Sequence, residues 1–389
     1  MKIIEVGTGY TSIPAKMGAA TEIIVEELSK EFKENNINYE IFDIQDENRK
    51  KCDLKIREIK VPKIFRKKDV SLGIMHKLKR VVYSIKLARE LRKEIKTSEE
   101  KISIHFHNQY NMFFFLKLTP KKLRDKVSIF YTVHSYIWNN KWENIKSVVR
   151  KKYFQEVYCV KNADKVFVLN NMTIKYFVDY IGVNPNNIVL IENGVNTKIF
   201  EPKDSNEEEI VFFQCGSVCE RKNQLGAIKI LTRVLQENPI YKYLYIGGII
   251  DKEYKDSIDK YCIENNIENQ IEYGGEVEPG VELAKFYQRA KAFIFPSTSE
   301  AFGMVIFEAM ASGLPVIMNR NTNIELDKEV KNIILFYEDE NSLKQIIENN
   351  IKSEEKRKEL SKKSRFLIED RYSWNSVAKK YLKEFKDVE

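Results

Sequence analysis

The densest chemistry in the chain lies in PSTSEAFGMVIFEAMASGLPVI, residues 296–317. The segment follows AFIFP, an apolar run of buried-strand length. Ser297, Thr298 and Ser299 suit a loop or a helix cap, and Gly303 lets the backbone approach a ligand closely. Met304–Ala311 reads as a helix ended by Gly313 and Pro315. A helix starting there aims backbone N–H groups outward, a ready site for a diphosphate. Glu300 stands in the loop ahead of the helix, and Glu308 about one and a half turns inside it. The two carboxylates therefore need not share a face: one can meet a sugar while the other accepts hydrogen bonds from a ribose. A solvated acid before an ordinary capped helix would explain either glutamate alone, but not the whole segment.

A second group follows the apolar run VFFQCG. It reads GSVCERKNQ, with Gly216, Ser217, Arg221 and Lys222 just ahead of a helical stretch. Cations at a helix start are mildly unfavourable unless an anion meets them there. A leaving diphosphate is such an anion, since it gains charge as its bond to a sugar breaks. Near the N-terminus, Gly18 and Ala19 precede an amphipathic run and offer further backbone N–H groups. His134 closes the strand-like VSIFYTV, a carboxyl end where ligands collect in open sheets. His105 and His107 lie two apart on one strand and share a face. They are conceivable as a metal pair, with no third ligand evident.

These groups need a scaffold. The 389 residues suit two domains, and short apolar runs alternate with helical stretches almost throughout. Ile3–Val6, Tyr39–Ile44, KISIHFH, VSIFYTV, Val166–Leu169 and Ile188–Ile191 form one strand series. VFFQCG, YKYLYIGG, QIEYGG, AFIFPS and LPVIMN form a second. Such rhythm implies parallel sheets with helices on both faces. ENGVNTKIFEPKD marks a turn and linker between the two. The expected α/β organisation is two doubly wound Rossmann-like domains facing across a cleft. The first covers residues 1–197 and the second 204–372, with a last helix over 373–389.

Composition excludes other classes. The apolar runs are too short to cross a bilayer, and MKIIEVGTGY reads as a strand and turn rather than a signal peptide. Five scattered cysteines argue for a reducing, cytoplasmic setting. The formal charge of +8 concentrates in residues 63–96, with twelve Lys or Arg against three acids. That stretch reads as an amphipathic basic helix: either a solvated face, or a peripheral dock for an anionic membrane or polyanionic acceptor. Without a base-reading motif, nucleic acid is not an expected partner.

Glu300 and Glu308 form the E-x7-E pattern, and on it the chain resembles the family-4 retaining glycosyltransferases of GT-B fold. The segment NADKVFVLNNMTIKYFVDYIGVNPNNIVLIENGVNTKIFEP resembles that family's hinge region. The resemblance implies a nucleotide-sugar donor held mainly by the second domain, with transfer to a hydroxyl acceptor on the first. It further implies that Glu308 holds the ribose, that Glu300 lies near the donor sugar, and that the backbone of Ala301, Phe302, Gly303 and Met304 holds sugar and phosphate. Lys222 would stabilise the diphosphate, and His134 would stand against the sugar. The last helix would pack back on the first domain. Where the family usually has Arg this chain has Ser217, with Arg221 as the replacement cation. The expected activity is retaining transfer from a uridine-diphosphate sugar in cell-surface glycan or glycolipid synthesis. No metal or other cofactor is expected, because there is no DxD element at a strand end.

Three other readings compete. Gly7, Gly9 and Asp43 imitate a dinucleotide fingerprint, but Ser12 replaces its third glycine and the helix begins too late. Ser217 leaves room for a non-catalytic nucleotide- or glycan-binding protein. The rhythm also fits an isomerising or phosphorolytic enzyme of the same fold.

Overall fold

The computed structural model describes residues 1–15, 20–62, 74–134, 153–203, 209–300 and 302–388. Gly18, Ala19, Ala301 and residues 63–73 of the basic stretch lie outside them. The chain divides into two units, one of Met1–Glu192 with Val377–Glu389, the other of Asn193–Ser376.

Among the described residues the first unit carries a seven-stranded sheet. Its strands are β1 (Lys2–Val6), β2 (Tyr39–Ile44), β3 (Ile56–Ile59), β4 (Ile102–Phe106), β5 (Val127–Thr132), β6 (Lys165–Val168) and β7 (Ile188–Leu190). The order is β3-β2-β1-β4-β5-β6-β7, with every pair parallel. The central strands β4 and β5 are buried along their whole length. They nonetheless carry buried polar residues, Ser103 and His105 in β4 and Ser128 and Thr132 in β5.

The second sheet has six described strands: β8 (Ile210–Cys215), β9 (Tyr241–Ile246), β10 (Ile271–Tyr273), β11 (Ala292–Phe295), β12 (Val316–Asn319) and β13 (Leu335–Tyr337). Their order is β10-β9-β8-β11-β12-β13, again all parallel. In each sheet the order reverses beside the first strand, between β1 and β4 and between β8 and β11. Loops leaving such neighbours diverge and open a crevice at the strands' carboxyl ends.

Two edge strands, β3 and β13, went unread in the sequence. They are four and three residues long. The basic stretch does form a helix, Ile74–Thr97. Tyr83, Ser84, Leu87, Ala88, Leu91 and Ile95 are buried at helical spacing, while Lys77, Arg89, Lys93 and Lys96 face solvent. Among the described residues no helix is long and apolar enough to cross a membrane. The Trp374–Asp387 helix brings Tyr381 and Phe385 into the first unit's core, where Phe385 packs edge-on against Phe130 and Tyr381 against Phe167.

Candidate functional site

In the second unit the site forms where the β8 and β11 loops meet. β8 ends at Cys215, and a single 3-10 turn, Glu220–Lys222, leads into the Gln224–Glu237 helix. Two buried amides clamp this loop to the sheet. Gln214 Nε2 donates to the Lys222 carbonyl at 2.8 Å, and Gln224 Nε2 to the Ser217 carbonyl at 3.0 Å. Tyr243 holds Gln214 in turn by donating to its Oε1. Gly216 takes φ +155°, and a Cβ there would lie 3.2 Å from Cδ and Cε of Lys222. The lysine stem thus lies along the glycine backbone and is aimed by it.

The β11 loop is fixed from the other side. Thr298 N donates to the Arg221 carbonyl at 3.0 Å, Asn323 N to the Thr298 carbonyl at 2.9 Å and Glu300 N to the Asn323 carbonyl at 3.1 Å. The two loops therefore form one rigid rim. On it Lys222 Nζ lies 2.5 Å and Arg221 Nη1 2.7 Å from the same Glu300 oxygen, Oε1. The Lys222 and Glu300 side chains are each 13% exposed and Arg221 is 44% exposed, so solvent screens the arginine far more. Three residues further on, Gly303 takes φ +77° and the Met304–Ala311 helix begins with no side-chain cap. A Cβ on Gly303 would meet Ile324 at 2.9 Å and Ile306 at 3.0 Å.

Glu308 does not join this cluster. It is half-buried, and its Oε2 accepts a hydrogen bond from Tyr287 at 2.7 Å. Burial pushes its carboxyl up to about 7, with the Tyr287 hydrogen bond opposing the shift. Tyr287 is fully buried and was missed in the sequence, since an aromatic on a helix reads as core. Phe302 is buried and stacks on Phe307 with ring centres 4.5 Å apart, so that side chain belongs to packing. Ser217 and Met304 are half-buried.

In the first unit, His134 is half-buried at the carboxyl end of β5 and joins a buried chain. Register sets Glu5 of β1 opposite His105 of β4. Glu5 Oε1 lies 3.0 Å from His105 Nδ1, and Oε2 lies 2.7 Å from His107 Nε2. His107 Nδ1 lies 3.0 Å from His134 Nε2, and His105 Nε2 2.7 Å from Thr132 Oγ1. Burial opposes ionisation of Glu5, yet His105 and His107 hold its carboxyl at about 2. Burial, then the charge of His105, lowers His107 to about 4 against the pull of Glu5; burial also lowers His134 well below the ordinary histidine value.

Glu5 corrects the expectation that His105 and His107 have no third metal-capable neighbour. The three side chains bring possible ligand atoms within 4.8 Å of one another. Both carboxylate oxygens, however, already sit against imidazole nitrogens. The signal that could have revealed Glu5 is an acid inside the apolar run KIIEV, since an unpaired charge is costly in a buried strand.

The described arrangement is a pair of strand-end sites, one cationic and one imidazole-lined, each at the reversal point of a doubly wound sheet or one strand beyond it. Comparison with known proteins decides the family. The model "Glycosyl transferases group 1" matches residues 195–366, and "Glycosyltransferase Family 4" matches residues 21–199. The chain belongs to the family-4 type of glycosyltransferases.

Similar proteins include an uncharacterised glycosyltransferase of Methanocaldococcus jannaschii, 23% identical over 259 residues. That match covers 65% of this chain and 63% of the relative. An O-antigen biosynthesis glycosyltransferase, WclY of Escherichia coli, is 24% identical over 270 residues, covering 66% of this chain and 71% of the relative. Over the first three curated relatives the chain spans 63%, 65% and 58% of their length. Among solved structures, Anabaena HepE in complex with UDP-glucose aligns over 100% of both chains with TM-score 0.68 at 13% identity. At that identity the likeness establishes the two-domain α/β fold of GT-B type and no more. The family assignment removes the dinucleotide reading, and Gly7 and Asp43 have another explanation. A Cβ at Gly7 would lie 2.5 Å from Asp43 Oδ1, so the two are packed together.

Proposed function

We propose that this glycosyltransferase is a retaining enzyme that takes a sugar from a uridine-diphosphate sugar and passes it to a hydroxyl acceptor in cell-surface glycan or glycolipid synthesis. The observation that carries the reading is the convergence of Lys222 and Arg221 on one oxygen of Glu300 at the β8/β11 reversal point. Two cations held there by a rigid rim are placed to take a second, stronger anion. The diphosphate draws Lys222 and Arg221 toward itself and frees Glu300 to face the donor sugar. The Gly303–Met304 amides add partial positive charge. As the sugar–phosphate bond breaks, this preorganised charge stabilises the departing diphosphate. Glu308 accepts from the ribose, Gly18 and Ala19 add backbone donors toward the phosphates, and His134 stands at the sugar.

No step is assigned to a metal, and the leaving phosphate itself takes the acceptor proton on the reacting face. The complex of HepE with UDP-glucose supports the uridine donor, and the O-antigen function named for WclY supports a surface-glycan product. The basic face of the Ile74–Thr97 helix is assigned to peripheral contact with an anionic membrane or acceptor, at the cytoplasmic side. A thermal-shift screen of nucleoside diphosphates and their sugars tests the donor, because a bound ligand stabilises the fold by mass action. Uridine compounds should give the largest shift, and a larger shift from another base would reassign the donor.

Ser217 favours one second reading, a binding protein that holds nucleotide sugar without transfer. Donor hydrolysis by the purified protein separates the two. Hydrolysis supports the enzyme, and tight donor binding with no turnover across a donor panel supports the binder.

A further inference from the structure

The buried Glu5 stands at the inner end of a hydrogen-bonded line of imidazoles whose outer end is His134. We propose that Glu5 and His107 are positioning residues that lock His134 in one tautomer, so that its Nδ1 lone pair is offered to a substrate hydroxyl. The proposal rests on the reading of His134 as the residue that meets the sugar.

The assignment follows from donor and acceptor bookkeeping. An ionised carboxylate only accepts. His105 must therefore carry its proton on Nδ1, 3.0 Å from Oε1, and His107 on Nε2, 2.7 Å from Oε2. A neutral His107 then has only a lone pair at Nδ1. The atom 3.0 Å from that lone pair is His134 Nε2, which must be the N–H. The rings support a direct bond. Their planes are 14° apart and their centres 5.3 Å apart, longer than the N···N distance by about two ring radii. The two imidazoles thus lie edge to edge nearly in one plane, with the bond along the line between them.

The other branch closes as well. His105 Nε2 lies 2.7 Å from Thr132 Oγ1, which lies 3.4 Å from the Tyr381 hydroxyl, so that nitrogen is paired whichever of the two atoms carries the proton. Among the described residues, His134 Nδ1 is the one nitrogen of the three rings left without a partner. Burial, the largest influence on both rings, disfavours a charged His107 and a charged His134, as the scheme needs. A hydrogen bond on one ring nitrogen decides what the other offers.

The test is two-bond 15N–1H NMR of the full chain at neutral pH, which reads tautomers without substrate. The expected result is Nδ1–H on His105 and Nε2–H on both His107 and His134. In Glu5→Gln the amide can accept from one imidazole but presents N–H to the other, so one of the two should change tautomer. Glu5→Gln and His107→Phe should each lower kcat roughly tenfold to hundredfold, the usual effect of losing an orienting partner. The Kd for uridine diphosphate should stay unchanged, because neither Glu5 nor His107 is among the residues assigned to the nucleotide. Nδ1–H on His134 in the parent protein overturns the proposal. So does stoichiometric metal in the purified protein, which would occupy the same lone pairs, or parental kcat in a normally melting Glu5→Gln. Should the variants fail to fold, the parent spectrum still decides. If no donor is turned over at all, the activity reading fails while the tautomer result stands by itself.

Discussion

Lys222 and Glu300 are 78 positions apart in sequence and 2.5 Å apart in space, joined across the ends of two neighbouring strands. In the proposed reaction this ion pair opens when the diphosphate arrives, and Lys222 then carries the charge stabilisation. Lys222→Ala should lower turnover by roughly two to three orders of magnitude, with a nearly unchanged melting temperature. Steady-state kinetics with the best donor checks this, and near-parental turnover would remove Lys222 from the scheme.

Arg221 reaches the same Glu300 oxygen from a more exposed position. Arg221→Ala should therefore cost less than Lys222→Ala. If Arg221 replaces the cation that the family usually has at position 217, adding Ser217→Arg should restore the loss. Kinetics of the single and double variants read the coupling directly. A double variant no better than Arg221→Ala would separate the two positions.

Glu308 gives a pH signature. Its carboxyl is raised by burial from 4.5 to about 7, so the folded chain holds a proton that the unfolded chain gives up. The associated stability is complete below about pH 4.5 and is lost as pH rises through 7. Glu308→Gln, permanently neutral, should match the parent near pH 4 and exceed it at pH 8 by about 1–3 kcal/mol. Chemical denaturation across pH measures the difference, and parallel curves for the two proteins would show that Glu308 does not titrate this way. Affinity for an intact nucleotide sugar should rise through the same pH range in the parent alone, since the proposed ribose contact needs the carboxylate.

Tyr287 donates to Glu308 at 2.7 Å and opposes the upward shift. Tyr287→Phe should cost about 1 kcal/mol of stability and move the Glu308 titration to higher pH. The pH profile of donor binding checks this. A profile unmoved by the lost hydroxyl would mean that Glu308 takes its proton balance from elsewhere.

Gly303 holds φ +77°, and a Cβ there would meet Ile324 and Ile306 at 2.9 and 3.0 Å. Gly303→Ala should destabilise by roughly 1–2 kcal/mol from the left-handed backbone alone, and more from the two isoleucines. It should also weaken nucleoside diphosphate binding by moving the helix start. Denaturation and calorimetry read the two effects separately, and a variant with parental affinity would leave the Gly303 turn outside the donor site.

Much of this molecule can be read in a linear string. Parallel strands buried on both faces favour mainly apolar runs, so AFIFP and VFFQCG announce β11 and β8 at once. Gly303 marks a left-handed turn with little room for a side chain, and Arg221, Lys222 and Glu300 carry charge where charge needs a reason. The sequence thus determined two doubly wound halves and the residues at their strand ends. Only the tertiary structure decided which of those residues meet. Strand order brings β8 beside β11 and β1 beside β4, and order depends on crossovers that leave no local period. For that reason Glu5, far from any histidine in sequence, went unread as the partner of His105 and His107. For the same reason Tyr287 emerged as the partner of Glu308. A charge or hydroxyl acquires its role from what it faces after burial, and burial is set by packing between distant segments.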